Sequence, residues 1–489
     1  MPITFTYERI KIRENAVHKI LFNIQKVIWC AMEQQEKNYV EIFEQKLEGK
    51  DYDSLKNMLE AMHPADIAET LKDIAPIDSL KVFLLISDPQ ISGLVLSHLG
   101  IMEAGVERDI LEHLTEEKIA TIISAIESDE AADILNIFPE KKRAAILSLA
   151  ESEVQVEVEE LLQYPEDTAG GLMDHEYLAV NQGKTIKETI NIVRQEILPQ
   201  EARIYSYINI FVVDDKGYLV GYLALRDLLI KHYKKTLKEV MIKEIISVQP
   251  EIDQEEVSRI FIKYDLVTLP VVDKENRMVG RITVDDVIDV IQEEATEDIY
   301  RMVGTDDEEL WQKSVFKVAG IRLPWLLTTL MGTLCSALIL MSFRLTLDKV
   351  LMLVFFIPAI TAMGGNIGIQ SSTIVVRGLA TGHIELNEVW SVLFRELRVG
   401  LIMGVACGSI VGVVAYIVGN NPLLGLIVGS SMFFAILVAA MMGCLTPITF
   451  KKLNIDPAIS SGPFVTTAND ITGLLIYLGL ATSLIKYLI

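Results

Sequence analysis

Five long apolar segments near the end of the chain constrain its fold most strongly. They lie at about 324–343, 350–376, 399–418, 423–450 and 459–488. A helix needs about 20 apolar residues to cross a bilayer, and only helices and closed barrels satisfy their backbone hydrogen bonds there. The sequence therefore predicts an α-helical membrane domain with five spans at residues 323–489.

The charge is divided unevenly between this region and the rest of the chain. Residues 313–489 carry six acidic and 11 basic side chains, which leaves 61 of the 67 acidic residues and 33 of the 44 basic ones in the first 312. A front half this acidic would repel phosphate, so nucleic acid is not an expected partner, whereas metal cations are.

Basic residues flank alternate ends of the apolar segments, and charged residues precede the first apolar run of the chain. The early charges argue against a cleaved signal peptide. Lys317, Arg322, Arg395 and Lys451 fall on one side of the predicted spans. By the positive-inside rule that side is cytosolic, which places the N-terminus inside and the C-terminus outside a plasma or inner membrane, in contact with lipid.

A carboxylate interrupts the last apolar segment. Asp470 follows Thr466 and Thr467 by about one turn and precedes Gly473, and all four share one helical face. A charge at that depth costs several kcal/mol, so it needs a cation, a partner or water. This face is predicted to line an ion path.

The second and third apolar segments carry polar and small residues at helical spacing. In the second, Asn366 lies among Gly364, Gly365 and Gly368, where backbone carbonyls could approach an ion, although polar residues there could instead join helices. In the third, glycine recurs every four residues from Gly400 to Gly412, which predicts close helix packing.

The front of the chain begins with an extension, residues 1–39, in which 14–35 has the pattern of an amphipathic helix. It could dock on the soluble domain or lie on the membrane surface. The pattern of residues 40–162 then predicts short helices with a weak internal repeat: HPADIAETLKDIAP at 63–76 resembles SDEAADILNIFP at 128–139. This predicts an all-α helical-repeat domain.

A stronger repeat follows, in which FVVDDKGYLVGYLALRDLL at 211–229 aligns without gaps on PVVDKENRMVGRITVDDVI at 270–288. Each copy predicts strand, turn, strand and helix, and the α/β pair resembles tandem CBS domains at 163–235 and 236–290. Gly280, Thr283 and Asp286 fit the ribose-binding pattern of that family. In the first copy Ala224 replaces the hydroxyl residue, while Arg226 and Asp227 remain, so the pair could bind ATP or be purely structural.

The helix that ends the second copy continues into an acidic stripe within the connecting segment 291–322. Asp286, Asp289, Glu293 and Glu297 recur at spacings of three and four, with Asp285, Glu294 and Asp298 beside them. Like charges at this spacing destabilise an isolated helix. The stripe is either a solvated face or a sensor for a hard divalent cation.

No pattern in the sequence favours an enzyme. The four cysteines and seven histidines are scattered, which predicts neither a disulfide framework nor a zinc site. Phosphate-binding loops and paired nucleophiles and bases are likewise missing from the sequence.

The whole arrangement resembles the MgtE family of magnesium channels and transporters. The resemblance rests on the domain order, on YPEDTAGGLM at 164–173, and on the strings PAITAMGGNIGIQSSTIVVRGLATG and DPAISSGPFVTTANDITGLLIY in the membrane part. It implies a homodimer that imports Mg²⁺ through a pore between its subunits and is closed by cytosolic Mg²⁺. It assigns Asp470, Asn366, Gly364 and Gly365 to the ion path and Asp456 to its cytosolic entrance. Regulatory Mg²⁺ would bind at Asp286, Asp289, Glu294, Glu297 and Asp298.

Two other functions remain open from the sequence. The first is transport of another divalent metal, such as Co²⁺, Mn²⁺ or Zn²⁺, but the spans hold no His and Cys cluster of the kind that softer metals prefer. The second is a nucleotide-responsive membrane sensor without transport. That function would require a basic partner for Asp470, and the central parts of the spans contain no Lys or Arg.

Overall fold

A computed structural model of the chain describes residues 39–196, 208–306, 309, 314–384, 386–460 and 462–484. These divide into two compact units. The first unit takes residues up to Val257 and Tyr264–Val287, and the second takes Ser258–Lys263 and the chain from Ile288 onward. The amphipathic helix predicted at 14–35 lies outside the described residues.

The first unit opens with nine helices in the described residues, and the prediction of an all-α helical domain is confirmed. Proline or a capping side chain starts several of them: Asp88 and Thr115 accept backbone N–H groups at the starts of the helices Pro89–His113 and Glu116–Ile123. The helices are α1 (39–48), α2 (Tyr52–Leu59), α3 (Pro64–Asp73), α4 (Pro76–Phe83), α5 (Pro89–His113), α6 (Glu116–Ile123), α7 (Ser128–Asn136), α8 (Glu140–Leu147) and α9 (Ser152–Leu161).

The predicted α/β repeat forms two small sheets. Strand β2 pairs with β1 in parallel and with β3 in antiparallel orientation, and β4 pairs with β5 in antiparallel orientation. The strands are β1 (Ala179–Asn181), β2 (Asn209–Val213), β3 (Leu219–Ala224), β4 (Thr268–Val272) and β5 (Met278–Thr283). The helices are α10 (Ile186–Glu196), α11 (Asp227–Ile230), α12 (Leu237–Val240) and α13 (Gln254–Tyr264).

Equivalent positions of the two copies meet each other. Asn209 Nδ2 donates to Thr268 Oγ1 at 2.8 Å, and Tyr218 pairs with Arg277 in an isolated bridge. Both pairs are separated by the 59 residues of the sequence repeat. The copies are therefore packed about a local twofold relation, as expected for a tandem pair.

The acidic helix α14 (Val284–Val303) begins directly after β5. It ends earlier than the predicted connecting segment at 291–322, because Gly304 adopts a φ of 78°, a left-handed conformation that ends a helix. The next helix, α15, starts at Val315 and already belongs to the first predicted span.

The second unit confirms the prediction of five apolar helices. Five of its described segments are long and apolar enough to cross a membrane: Val315–Ser342, Leu351–Ala380, Val389–Gly419, Pro422–Lys452 and Pro463–Ser483. They contain α15 (Val315–Ser342), α17 (Ile357–Ala380, after a 3₁₀ turn at Leu351–Phe356), α18 (Val389–Gly419), α19 (Pro422–Lys452) and α20 (Pro463–Ser483). A short helix α16 (Arg344–Lys349) and a 3₁₀ turn (Ala458–Ser460) connect them.

Helix α19 lies at the centre of this unit. The glycines that recur every four residues in α18, from Gly400 to Gly412, form a ridge that packs directly against it. A Cβ at Gly408 would lie 2.6 Å from the carbonyl oxygen of Gly429, and one at Gly412 would lie 2.9 Å from that of Gly425. Only glycine permits this approach, so the packing role predicted for the ridge is confirmed.

Candidate functional site

Asp470 lies in the third turn of α20 and is half-buried. Among the residues that the structure describes, it has neither a hydrogen-bond partner nor an ion-pair partner. Most buried carboxylates in proteins are paired, because an uncompensated charge is costly in an apolar medium. The side chain is therefore available to a cation.

The neighbouring Asn469 fastens α20 to α17. It is 1 % exposed, and its Nδ2 donates to the backbone carbonyl of Gly364 at 3.3 Å. A Cβ at Gly368 would overlap this Nδ2, so glycine at 368 is what lets the amide enter between the helices. Asn469 Oδ1 has no partner within the described residues.

The glycines of α17 therefore serve helix packing. Gly364 and Gly365 are buried, and a Cβ at Gly365 would lie 3.8 Å from Cγ2 of Thr466. Their predicted role as residues of the ion path stays a prediction. Of the face predicted for α20, Thr467 packs on Gly332 of α15, and Gly473 is buried near Ile360.

A polar face of α17 is left open by this packing. Asn366, Gln370 and Thr373 are all exposed within the single chain, although they belong to a helix long and apolar enough to span a membrane. Amide and hydroxyl groups are poorly accommodated by lipid, so this face calls for water, an ion or protein as its neighbour.

Asp456 lies in the connection that leads into α20 and is tied down on both oxygens. Oδ1 accepts the backbone N–H of Ala458 at 2.8 Å, and Oδ2 accepts Arg301 Nη1 at 2.6 Å. Arg301 also pairs with Glu297, one turn earlier in α14. The carboxylates of two sequence-predicted site residues thus share one guanidinium.

The end of α14 packs closely on the same connection. A Cβ at Gly462 would overlap the carbonyl oxygen of Met302, and a Cβ at Gly304 would lie 3.1 Å from Trp325 of α15. The acidic helix is thereby in direct contact with the segment that starts the span carrying Asp470. The sequence alone pointed to the acidic residues but missed Arg301, whose position four residues after Glu297 was a usable signal.

A second group of carboxylates lies inside the first unit. Asp286 accepts both the hydroxyl and the backbone N–H of Thr283, the latter at 3.2 Å, and burial raises its pKa to about 8. Asp286 itself is half-buried, whereas Asp129, at the start of α7, is buried, and burial followed by the charges of Asp286 and Asp174 raises the pKa of Asp129 well above the usual value. Asp129 was not among the predicted site residues.

One member of this group has a cationic partner. Asp174 forms an ion pair with Arg281 at 3.1 Å, and both side chains are at most 2 % exposed. Ser128 Oγ donates to the other oxygen of Asp174 at 3.3 Å. Burial still raises the pKa of Asp174, although Arg281 opposes the shift. The four acidic and basic groups form a connected polar cluster between the helical domain and β5.

The predicted nucleotide residues are arranged unequally in the two copies. In the second, a Cβ at Gly280 would lie 2.8 Å from the sulfur of Met173, and Thr283 is engaged with Asp286. In the first, Arg226 is exposed and Asp227 begins α11. Arg226 and Asp227 of the first copy are therefore more accessible than Gly280 and Thr283 of the second.

The acidic stripe of α14 is not drawn into one cluster. Asp289, Glu294, Glu297 and Asp298 are half-buried. Across the described ranges, no three His, Cys, Asp or Glu side chains converge closely enough to hold a metal ion. Mg²⁺, however, keeps several waters and is commonly bound through only one or two carboxylates, so isolated pairs remain suitable for it.

Comparison with family models accounts for most of the chain. Residues 357–480 match the model described as a divalent cation transporter, MgtE. Residues 62–167 match the MgtE intracellular N domain, and 169–232 and 237–293 match the CBS domain.

Two curated relatives are similar over almost their full length. The magnesium transporter MgtE of Thermus thermophilus is 35 % identical over 455 residues, covering 92 % of this chain and 99 % of the relative. That of Bacillus subtilis is 33 % identical over 433 residues, covering 88 % and 94 %.

Two solved structures are similar to about half of the chain. The soluble part of a magnesium transporter matches with 25 % identity and a TM-score of 0.47, covering 53 % of this chain and 99 % of that structure. The cytosolic domain of the Mg²⁺ channel MgtE in complex with ATP matches with 34 % identity and a TM-score of 0.46, covering 51 % and 98 %.

Proposed function

The chain belongs to the MgtE family of divalent cation transporters, and from this premise we propose that it conducts Mg²⁺ into the cell along a path lined by Asp470. The observation that carries the proposal is the position of that carboxylate. It is half-buried in a span and has no partner in the described part of the chain.

The chemistry of Mg²⁺ suits a single carboxylate of this kind. The ion holds its water shell tightly, so a ring of carboxylates can recognise the hydrated ion through its waters without caging it. One Asp470 from each subunit of a homodimer would supply such a ring. The open polar face of Asn366, Gln370 and Thr373 would then line the same water-filled path.

Mg²⁺ flux into liposomes containing the full-length protein tests this proposal. Asp470→Asn removes the charge at nearly constant volume, and we expect its flux to fall at least about tenfold, as for the loss of about 1.4 kcal/mol. Asp348→Asn is the matched control, because Asp348 is exposed and lies outside the spans. Equal flux in the wild type and the Asp470 variant would remove the pore assignment.

A competition arm separates Mg²⁺ from other divalent metals. Zn²⁺ added at equal concentration should displace little Mg²⁺ flux, because it favours imidazole and thiolate ligands, whereas Mn²⁺ prefers the same oxygen ligands as Mg²⁺ and is the most stringent competitor. Strong competition that is lost in Asp470→Asn would favour a broader divalent transporter. A sensor without transport would give no flux at all.

We also propose that cytosolic Mg²⁺ closes the path by binding to acidic residues of the first unit and α14. The support is electrostatic: unneutralised carboxylates on one helix repel each other, and a divalent ion that binds the closed arrangement more tightly shifts the equilibrium towards it. The direct contact of α14 with the connection before α20 supports a mechanical link to the pore helix.

Neutralising Asp289, Glu294 and Glu297 together tests this gate. The triple variant should continue to conduct at internal Mg²⁺ concentrations that close the wild type. Neutralisation of Asp348 and Glu388, which are exposed and lie outside the first unit and α14, is the control and should leave closure unaltered. If both variants close like the wild type, the stripe is only a solvated face.

Nucleotide binding is proposed for the CBS pair at Arg226, Asp227, Gly280, Thr283 and Asp286. A related cytosolic domain has been solved with ATP. Calorimetric titration of ATP into the full-length protein checks the proposal, with Asp227→Asn expected to weaken binding.

The orientation proposed for the chain in the plasma or inner membrane, with a cytosolic N-terminus, can be read from protease accessibility in inside-out vesicles.

A further inference from the structure

A second carboxylate lies within the membrane-spanning helices, and its surroundings differ from those of Asp470. Glu396 is the eighth residue of α18 and is 3 % exposed. Glu396 precedes the apolar segment at 399–418 and lies beside Arg395 near the start of the helix, but a buried carboxylate is costly unless it is paired, so its partners need to be named. The proposed conduction path does not use it.

Both oxygens of Glu396 are engaged. Oε2 accepts the hydroxyl of Ser371 on α17 at 2.8 Å, and Ser371 is itself 5 % exposed. Oε1 faces the guanidinium of Arg395 at 3.4 Å, and the Arg395 side chain is 54 % exposed. Arg395 thus compensates the charge at Oε1, while Oε2 binds a side chain of another helix, α17.

Ser371 lies on the packed side of α17. Gly368, which receives Asn469 of α20, precedes it by about one turn. At about 100° per residue, Asn366 lies about 160° around the helix from Gly368 and about 140° from Ser371. The contacts with α18 and α20 therefore hold one side of α17, and the open polar face lies on the other.

A charged acceptor gives this contact a strength that a neutral one would lack. Hydrogen bonds to an ionised group are roughly twice as strong as neutral ones, and they are least weakened where water is excluded. Helix α17 packs through Gly364, Gly365 and Gly368 and through apolar side chains that include Ile360, Ile367 and Val375, and apolar contacts are non-directional. The Ser371–Glu396 hydrogen bond is directional and so resists rotation of the helix about its axis.

We propose that Glu396 is a positioning residue for the ion path: through Ser371 it fixes the rotation of α17 and so aims the face of Asn366. The proposal rests on the proposed function in one respect, namely that the face of Asn366 lines the conduction path. Because Arg395 compensates its charge, Glu396 acts as a hydrogen-bond acceptor and not as a source of field for the ion.

Thiol labelling tests the proposal without relying on transport. Asn366→Cys is introduced into the full-length chain after its four cysteines are replaced by alanine, and the rate of modification by a water-soluble thiol reagent is measured in liposomes. Glu396→Ala and Ser371→Ala should each change this rate about fivefold, and the pair together no further, since they remove the same interaction. Glu396→Gln should change the rate by no more than about twofold, because its amide oxygen still accepts from Ser371 although the hydrogen bond is no longer strengthened by charge.

Ser430→Ala is the matched control. Its hydroxyl donates to the backbone of its own helix α19, so its removal should leave the labelling rate unchanged. Unaltered labelling in both Glu396→Ala and Ser371→Ala would overturn the proposal. A Glu396→Gln variant as disturbed as Glu396→Ala would overturn it in favour of a role for the charge.

The outcomes remain distinguishable from those for Asp470. If Glu396→Ala fails to fold, Ser371→Ala alone decides, because it removes one oxygen and keeps the packing. If Asp470→Asn transports normally while labelling responds as expected, the conduction path fails and the positioning of α17 stands.

Discussion

The membrane-spanning helices and the polar cluster of the first unit hold their carboxylates in opposite ways. The spans contain two, Asp470 and Glu396, of which one has no partner among the described residues and the other has two. The first unit gathers three, Asp129, Asp174 and Asp286, in one polar cluster with a single guanidinium. Where carboxylates are isolated, each can have a separate role, whereas clustered carboxylates titrate together, because the charge of one raises the pKa of its neighbour.

The largest expected effect concerns the two isolated carboxylates. Asp470→Asn should reduce Mg²⁺ flux at least about tenfold, whereas Glu396→Gln should remain within about twofold, because only the first removes the charge that is proposed to face the ion. Flux per reconstituted protein, measured in the same liposome preparation, compares them directly. Equal losses would break the distinction between a conducting and a positioning carboxylate.

The next largest effect concerns the packing of Asn469, the residue beside Asp470, against Gly368 of α17. Gly368→Ala would bring a Cβ into overlap with Asn469 Nδ2 and to 2.7 Å from Val465, so it should destabilise the protein by about 1–3 kcal/mol. Gly479→Ala on α20 meets no heavy atom within 4 Å among the described residues and should be neutral or stabilising. Thermal unfolding of the detergent-solubilised protein gives both values.

The clustered carboxylates should make stability depend on pH. Because the pKa of Asp286 is raised from 3.8 to about 8, the folded protein retains a proton that the unfolded chain releases between these values. The free energy of unfolding should therefore fall as pH rises from about 4 to about 8, by at most about 1.4 kcal/mol per pH unit for this group.

Unfolding in chelator at several pH values checks this slope. Asp286→Asn should flatten it, and Asp129→Asn should act in the same direction because burial raises that pKa as well. Asp53→Asn, at an exposed position of α2, should not. A slope that is identical in all variants would show that the cluster does not titrate in this range.

The smallest effect concerns Arg301, which occupies the carboxylates of Glu297 and Asp456. The side chains of all three are 26–35 % exposed, so the pairs are expected to contribute no more than about 1 kcal/mol. Arg301→Ala should free both carboxylates for Mg²⁺ and lower the concentration that closes the path by about twofold to fivefold.

The concentration dependence of closure, recorded as flux at stepped internal Mg²⁺, measures this shift. Arg344→Ala removes an exposed pair with Asp348 outside the spans and serves as the control. A shift towards higher Mg²⁺ in Arg301→Ala would mean that the guanidinium supports closure instead of competing with the ion.

The order of domains, the five spans and the tandem repeat could all be predicted from the linear chain. They follow from the length of the apolar segments, from the distribution of charge and from a repeat at an offset of 59 residues, all of which can be read from the order of the residues alone. Asp470 could also be singled out, because a carboxylate among apolar residues is conspicuous without any knowledge of its neighbours.

Which carboxylates have partners became clear only from the packing of the helices and strands. Glu396 reads as one more charge beside Arg395 in the sequence, yet its hydrogen bond goes to Ser371, 25 residues earlier on another helix. Asp129 and Asp286 likewise come together from regions more than 150 residues apart. Whether a buried charge is compensated depends on groups brought close by packing, and the linear pattern does not contain those distances.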